Sequence, residues 1–138
     1  MRIFLLLMTA FFCACGGDKP ASDATDVNAN FLVLSKGKSI DLKPHIKAGK
    51  ITVFDFYAEW CGPCKKLDRS LVSLKRTYGE RLMIYKLDIV EWGSELATEH
   101  GVKDLPYLQV YDTQGKLLKK GPSVQVLGTL VEELNKRN

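Results

Sequence analysis

Apolar positions along residues 31–138 follow two spacings, one typical of strands and one typical of helices. The runs Ile51–Ala58 and Leu82–Ile89 are almost continuously apolar, which is the pattern of strands buried on both faces of a sheet. The segment Pro63–Tyr78 carries leucines at helical spacing and stops at Gly79, which predicts a helix with a proline in its first turn. Together these segments predict a central strand–helix–strand unit.

Shorter segments extend this unit on both sides. Before it, Phe31–Leu34 predicts a strand and Asp41–Ala48 predicts a short helix closed by Gly49. After it, Ser94 is suited to cap a short helix that runs through His100.

The last segments predict a hairpin and a final helix. Tyr107–Tyr111 and Lys116–Lys120 are joined by a turn, and Ser123 is expected to cap a helix that ends near Lys136. The inner side of that helix is predicted to carry five apolar residues: Val124, Leu127, Leu130, Val131 and Leu134. The order βαβαβαββα predicts an α/β domain over residues 31–138, with helices on both faces of a mixed central sheet.

Residues 1–14 have a different character. A single positive charge at Arg2 precedes the apolar run Ile3–Phe12, and the small residue Ala14 follows it. Even extended to Ala14, the run has twelve residues, which reach about 18 Å as a helix and fall short of the ~30 Å apolar core of a bilayer. The pattern therefore predicts a secretory signal peptide rather than a membrane span.

The end of this leader, Phe12–Gly16, resembles a bacterial lipoprotein signal. The resemblance implies cleavage before Cys15 and a lipid on that cysteine, and ordinary signal cleavage with release of a free protein is the alternative. Residues 16–30 contain almost no large apolar side chains, so they are expected to form a flexible tether of about 20 Å reach. Residues 15–30 are thus interpreted as lipid attachment and tether.

Composition fits one globular domain. The chain has 138 residues, of which 46% are hydrophobic and 26% charged, and this excludes a disordered or collagen-like protein. The net charge of +4 is spread along the chain, so it gives no reason to expect binding to nucleic acid.

Two of the four cysteines form the motif Cys61–Cys64 at the start of the predicted helix. Three residues apart on a helix, they are close enough to form and break a disulfide. Cys61 lies at the helix N-terminus, which favours its thiolate and makes it the expected nucleophile, with Cys64 as the resolving cysteine. A permanent structural disulfide is one alternative. Half of a metal site is another, but it needs further ligands, and only His45 and His100 are present; no metal or cofactor is expected.

The segment Asp55–Lys65, DFYAEWCGPCK, is similar to the active-site segment of thioredoxins, and Leu105–Tyr107 falls where that family has its cis-proline. The resemblance covers the whole predicted domain and implies the thioredoxin fold and redox activity. It departs at Tyr107, where the family usually has threonine, and this bears on the width of the substrate groove. It also implies a flat contact surface on which an extended substrate segment pairs with the backbone at Leu105, formed by Trp60, Gly62, Pro63, Leu105, Pro106 and Gly121.

Asp55 is a single carboxylate within a strongly apolar strand. Burial is expected to raise its pKa and make it a proton acceptor for Cys64, the role that thioredoxins give their buried aspartate. Lys86 matches the lysine that neighbours that aspartate in the family, where it would tune it. The alternative is that Asp55 and Lys86 lie at strand ends and reach water.

The direction of electron flow follows only from resemblance and location. Gly62 and Pro63 resemble the pair found in reducing members of the family, whereas export places the protein in an oxidising space. We therefore expect a monomeric, membrane-anchored protein that exchanges disulfides with protein substrates as a reductase and receives electrons from a membrane-embedded donor. Cytochrome maturation or periplasmic disulfide reduction suits such a protein. The alternatives are an oxidant of substrate thiols and a non-catalytic module that only binds a partner.

Overall fold

The computed structural model describes residues 31–136, and these contain one five-stranded sheet with the strand order β1-β3-β2-β4-β5. β1, β3 and β2 are parallel to one another, whereas β4 and β5 are antiparallel to their neighbours. The strands are β1 (Leu32–Lys36), β2 (Ile51–Tyr57), β3 (Leu82–Asp88), β4 (Tyr107–Tyr111) and β5 (Leu117–Pro122). The mixed sheet that the sequence predicts is therefore confirmed.

Within residues 31–136, three α-helices pack on this sheet, namely α1 (Gly62–Tyr78), α2 (Glu95–His100) and α3 (Ser123–Asn135). Leucines of α1 and α3 share one buried apolar cluster with β2 residues such as Val53. α2 contributes Leu96 to the second cluster, which contains Phe54 and Phe56 of the same strand. Because side chains alternate along a strand, the two clusters lie on opposite faces of the sheet, and the predicted three-layer α/β arrangement is confirmed.

The predicted helix ends reflect local chemistry. α1 begins at Gly62, one residue before the predicted start, and stops at Gly79, whose φ of 55° is readily adopted by glycine. The Ser94 hydroxyl accepts a hydrogen bond from an amide of the first turn of α2, and Gly101 ends that helix in the left-handed conformation. The predicted end of α1 at Gly79 and the predicted Ser94 cap of α2 are confirmed.

The predicted helix Asp41–Ala48 is wrong. Only Lys43–His45 forms a single 3₁₀ turn there, and Ile46 already has an extended backbone. Ile46 packs against the apolar cluster of β2, so the chain is drawn onto the sheet instead of continuing a helix.

The start and inner face of α3 also differ from the prediction. Pro122 occupies the N-cap position and Ser123 is the first helical residue, with no side-chain capping bond. Val124 and Val131 are exposed rather than buried. The face that packs on the sheet has a spacing of four and consists of Val126, Leu130 and Leu134, all fully buried. Leu127 is partly buried at its edge.

The predicted signal peptide 1–14, Cys15 and the tether 16–30 lie outside the described residues. Within residues 31–136, no helix combines the length and the apolar character needed to cross a bilayer.

Candidate active site

A disulfide joins Cys61 and Cys64 at the first turn of α1, with 5.3 Å between their Cα atoms. Cys61 is the N-cap residue, and its Sγ accepts a hydrogen bond of 3.2 Å from the backbone amide of Cys64. In the reduced protein the same amide, together with the other unpaired amides of the first turn, favours negative charge on Cys61 Sγ. This geometry suits the predicted nucleophile.

The cysteines of the motif and the two residues between them differ in their exposure to solvent. Gly62 and Pro63 are exposed, whereas Cys61 and Cys64 are both buried. Pro63 stands in the first helical turn, where its missing N–H removes no helical hydrogen bond. Both cysteines belong to the buried apolar cluster that contains Phe54 and Phe56, so the motif reaches the surface through the two residues between them.

Asp55 and Lys86 form a buried ion pair between β2 and β3. The two residues are register partners in β2 and β3, and Lys86 Nζ lies 2.7 Å from Asp55 Oδ2. Both side chains are completely buried, so the alternative in which they reach water at strand ends is wrong. Lys86 stands beside Asp55, as the sequence resemblance implies.

Asp68 joins this pair, and sequence reasoning missed it. It lies on α1 with 2% of its surface exposed, and it accepts a hydrogen bond from Lys86 Nζ. The ring of Tyr57 covers the same ammonium at 4.2 Å from its centroid. The available indication was spacing, because Asp68 follows Cys64 by four residues and therefore shares its helix face.

The electrostatics of this cluster act mainly on Asp55. Removal from water raises the pKa of Asp55 to about 6, although the attraction and hydrogen bond of Lys86 oppose that rise, and the charge of Asp68 adds to it. Asp55 Oδ1 is buried and has no hydrogen-bond partner among residues 31–136. Burial and the nearby carboxylates also raise the pKa of Tyr57 to about 12. A carboxyl with a pKa near 6 suits proton exchange with a thiol at neutral pH.

A groove runs beside the disulfide and encloses about 390 Å³. The Leu105–Pro106 peptide, which is cis, borders it, and the Pro106 carbonyl accepts a hydrogen bond of 2.9 Å from the Ser123 amide. Three of the predicted contact residues line the groove. Seven lining residues were not predicted from sequence. The full lining comprises Pro63, Lys66, Leu67, Ser70, Leu105, Pro106, Pro122, Ser123, Val124 and Leu127.

The remaining predicted contact residues lie outside this groove. Trp60 is 55% exposed, its Nε1 donates to the Val90 carbonyl at 2.7 Å, and its ring stands 5.6 Å from that of Trp92. Gly121 is buried in β5 opposite Leu108. Only its chain neighbour, and not Gly121 itself, lines the groove.

The histidines give no indication of a metal centre. The ring of His100 packs against Phe56 with 5.1 Å between centroids, and burial lowers the pKa of His100. Across the described part of the chain, no three histidine, cysteine or acidic side chains are grouped as metal ligands.

Comparison with known proteins connects this geometry to one family. The family model described as Thioredoxin matches residues 36–135. Thioredoxin of Bacillus subtilis is 34% identical over 86 residues, which cover 62% of this chain and 81% of that protein. Thioredoxin-1 of Drosophila melanogaster is 39% identical over 57 residues, or 41% of this chain, so the match spans about half of that relative, 52% of its length.

Solved structures agree with these sequence matches. Oxidised mitochondrial thioredoxin 3 from Saccharomyces cerevisiae superposes with a TM-score of 0.56 at 26% identity, covering 75% of this chain and 96% of that one. The germline-specific Drosophila thioredoxin Deadhead gives a TM-score of 0.51 at 28% identity, with 61% and 81% covered. The predicted thioredoxin fold is confirmed.

Proposed function

Because the chain belongs to the thioredoxin family, we propose that it is an enzyme that exchanges disulfides with protein substrates through Cys61 and Cys64. The observation that carries this proposal is the placement of the Cys61–Cys64 disulfide at a helix N-terminus. It is supported by the buried Asp55 carboxyl, whose pKa is raised to about 6. In this proposal Cys61 is the nucleophile, Cys64 is the resolving thiol and Asp55 is the proton acceptor.

Reduction of a substrate proceeds in two exchanges. The Cys61 thiolate attacks one sulfur of the substrate disulfide, so that a mixed disulfide forms and the other substrate sulfur leaves as a thiolate that takes a proton from water. Asp55 then accepts the proton of the Cys64 thiol, and the Cys64 thiolate attacks Cys61 Sγ. The Cys61–Cys64 disulfide forms, and the second substrate sulfur leaves and is protonated. Two electrons have passed from the protein to its substrate.

The groove beside the disulfide is the proposed docking site for the substrate. Its walls combine the exposed Val124 with Leu127 and Pro106, and they offer few charged groups. An extended segment that enters it can hydrogen-bond the backbone at Leu105, which gives affinity with little sequence selectivity. Trp60, at 55% exposure, adds an apolar contact on the surface near the motif.

We further propose that the protein works as a reductase outside the cytoplasm. Gly62 and Pro63 between the cysteines support this direction, because reducing members of the family have this pair. The leader 1–14 supports export, Cys15 supports a lipid anchor, and residues 16–30 support a tether of about 20 Å. A membrane-embedded electron donor at the same surface would return the disulfide to its dithiol form. Cytochrome maturation and periplasmic disulfide reduction are the cellular roles that fit.

The decisive experiment combines turnover, trapping and redox potential. We expect the wild type to reduce insulin disulfides, Cys64→Ser to accumulate mixed disulfides, and Cys61→Ser, its matched control, to accumulate none. A potential near −270 mV supports the reductase, whereas a value near −120 mV identifies an oxidant. A non-catalytic binding module would show no turnover, and its partner binding would survive both serine substitutions.

The anchor is tested separately. We expect the mature protein to begin at a lipid-bearing Cys15 and to partition into detergent, and Cys15→Ala to block this maturation. A free amino terminus within residues 16–30 would instead show ordinary cleavage and a protein without an anchor.

A further inference from the structure

Lys86 is shared between two buried carboxylates from different elements. Its Nζ contacts Asp55 Oδ2 on β2 and Asp68 Oδ1 on α1. The side chains of Asp55 and Lys86 are completely buried, and that of Asp68 is 4% exposed. Water therefore cannot screen the interactions among the three charges, so the position of one charge affects the other two strongly.

We propose that Asp68 is a positioning residue, which holds Lys86 between α1 and β3 and thereby sets how readily Asp55 accepts the proton of Cys64. The inference rests on the proposed exchange reaction and adds a residue that acts on it through Lys86. Asp68 is not itself among the residues that line the groove, and its described hydrogen bond is to Lys86.

The chemical argument is a competition for one ammonium. Lys86 is the only cationic group that acts on Asp55 among the described residues, and Asp68 takes part of its attraction. The same carboxylate also repels negative charge on Asp55 directly. Both effects favour the protonated form of Asp55, so Asp68 strengthens Asp55 as a base toward the Cys64 thiol.

The surroundings of Asp55 contain few other titratable groups. β3 contributes Lys86 and α1 contributes Asp68, while the register partner on β4 is the apolar Leu108. Within β2, the Tyr57 ring faces the Lys86 ammonium, and the Tyr57 phenol, whose pKa is about 12, remains neutral across the range in which Asp55 titrates.

The step that this arrangement controls is the second exchange. The proton leaves Cys64 Sγ for Asp55, the bond between Cys64 Sγ and Cys61 Sγ forms, and the bond between Cys61 Sγ and the substrate sulfur breaks. No further oxidant or reductant is needed. If Asp68 loses its charge, Lys86 pairs with Asp55 alone, and the carboxylate becomes a weaker base for this proton.

The test uses Asp68→Asn, which preserves shape and an oxygen acceptor for Lys86. Its first measurement is the titration of the Asp55 carboxyl carbon by NMR in the oxidised protein, which does not depend on activity. We expect the midpoint to fall below about 6 by roughly one pH unit, while Asp41→Asn, in an exposed loop, leaves it unchanged. Asp68→Glu, which restores the charge, is expected to restore the midpoint. An unmoved midpoint in Asp68→Asn overturns the proposal, even if Asp68→Glu does not fold.

The second measurement is the rate at which a preformed mixed disulfide on Cys61 is resolved, as a function of pH. We expect Asp68→Asn to slow resolution several-fold at neutral pH and to move the acidic limb of the rate toward lower pH. In an Asp55→Asn background the same substitution is expected to change the rate by less than about twofold. If Asp68→Asn slows resolution by the same factor in the wild-type background and in the Asp55→Asn background, the proposal is overturned. A wild type that resolves no mixed disulfide refutes the proposed function instead, and the Asp55 titration still decides the role of Asp68.

Discussion

Replacing Asp55 with asparagine should make the oxidised protein more stable at neutral pH. Asp55 is completely buried in the middle of β2, and removal from water raises its pKa from 3.8 to about 6. Asparagine has nearly the same shape, keeps an oxygen that can accept from Lys86 Nζ, and cannot ionise. The substitution therefore removes the buried negative charge with little change in packing.

The sign of the effect on stability depends on whether the folded or the unfolded chain binds the Asp55 proton more tightly. The folded chain holds the Asp55 proton more strongly than the unfolded chain, so protonation of Asp55 favours folding. This contribution is complete below the unfolded value near 3.8 and is lost as the pH rises through about 6. A rise of about two pH units at ~1.4 kcal/mol each amounts to about 3 kcal/mol. At pH 7.5, Asp55→Asn should lack this penalty.

Chemical denaturation of the oxidised wild type and of Asp55→Asn between pH 4 and 7.5 measures the effect. The free energy of unfolding of the variant minus that of the wild type should increase by about 2–2.5 kcal/mol over this range, because part of the penalty is already present at pH 4. Contributions from other titrating groups cancel because both proteins share them. Most of the increase should fall between pH 4 and 6.

Two results would refute this reasoning. A difference that stays constant from pH 4 to 7.5 would mean that Asp55 has the same pKa in the folded and unfolded chains. A variant that becomes relatively less stable as the pH rises would mean that Lys86 stabilises the Asp55 carboxylate by more than burial destabilises it.

Three further substitutions, two of them paired with a control, test the packing, the helix starts and the groove. Leu71→Ala, at a fully buried position, should lower the free energy of unfolding by about 2–5 kcal/mol in a denaturant titration. Ser94→Ala should lower it by about 1 kcal/mol, because the hydroxyl caps α2, whereas Ser123→Ala removes no capping bond and should change it by less than ~0.5 kcal/mol; equal losses would contradict this. Val124→Lys, at the groove, should raise KM for a protein disulfide roughly tenfold with kcat unchanged, while Val131→Lys, outside the groove lining, should not; equal KM values would exclude docking in the groove.

The central elements could be predicted because their sequence features are local. Ile51–Ala58 and Leu82–Ile89 are too apolar to be anything but buried, and the structure has strands there that start at the same residues and end one residue earlier. The ends of α1 follow from a proline in its first turn and from Gly79. Such features act within a few residues and need no knowledge of the tertiary fold.

The errors arise where tertiary contacts choose between local alternatives. In α3, Leu130 and Leu134 fit both the predicted stripe with Val131 and the observed one with Val126. Both stripes have helical spacing, so only the position of the sheet decides which one is buried. Ile46 is a second example, because its contact with the core ends the 3₁₀ turn after Lys43–His45.

In the candidate site, too, some residues could be predicted from local sequence and one could not. The motif Cys61–Cys64 and the lone acid Asp55 stand out in the sequence because each breaks its local pattern. Asp68 does not, since an acid among the polar residues of a helix is ordinary. Its contact with Lys86 depends on the packing of α1 against β3, which local sequence does not indicate.

The cluster around Lys86 shows how a costly buried charge can be kept at a reactive centre. A well-packed apolar side chain at Asp55 would avoid the penalty of about 3 kcal/mol at neutral pH. Lys86 limits that penalty by attraction, yet a lysine devoted to Asp55 alone would hold its carboxylate too firmly to take a proton. Burial raises the Asp55 pKa to about 6, and the charge of Asp68 adds to that rise; in our proposal, the contact of Lys86 with Asp68 also divides the attraction that opposes it. The buried Asp55 carboxyl thus lowers stability at neutral pH, and its raised pKa suits it to exchange a proton with a thiol.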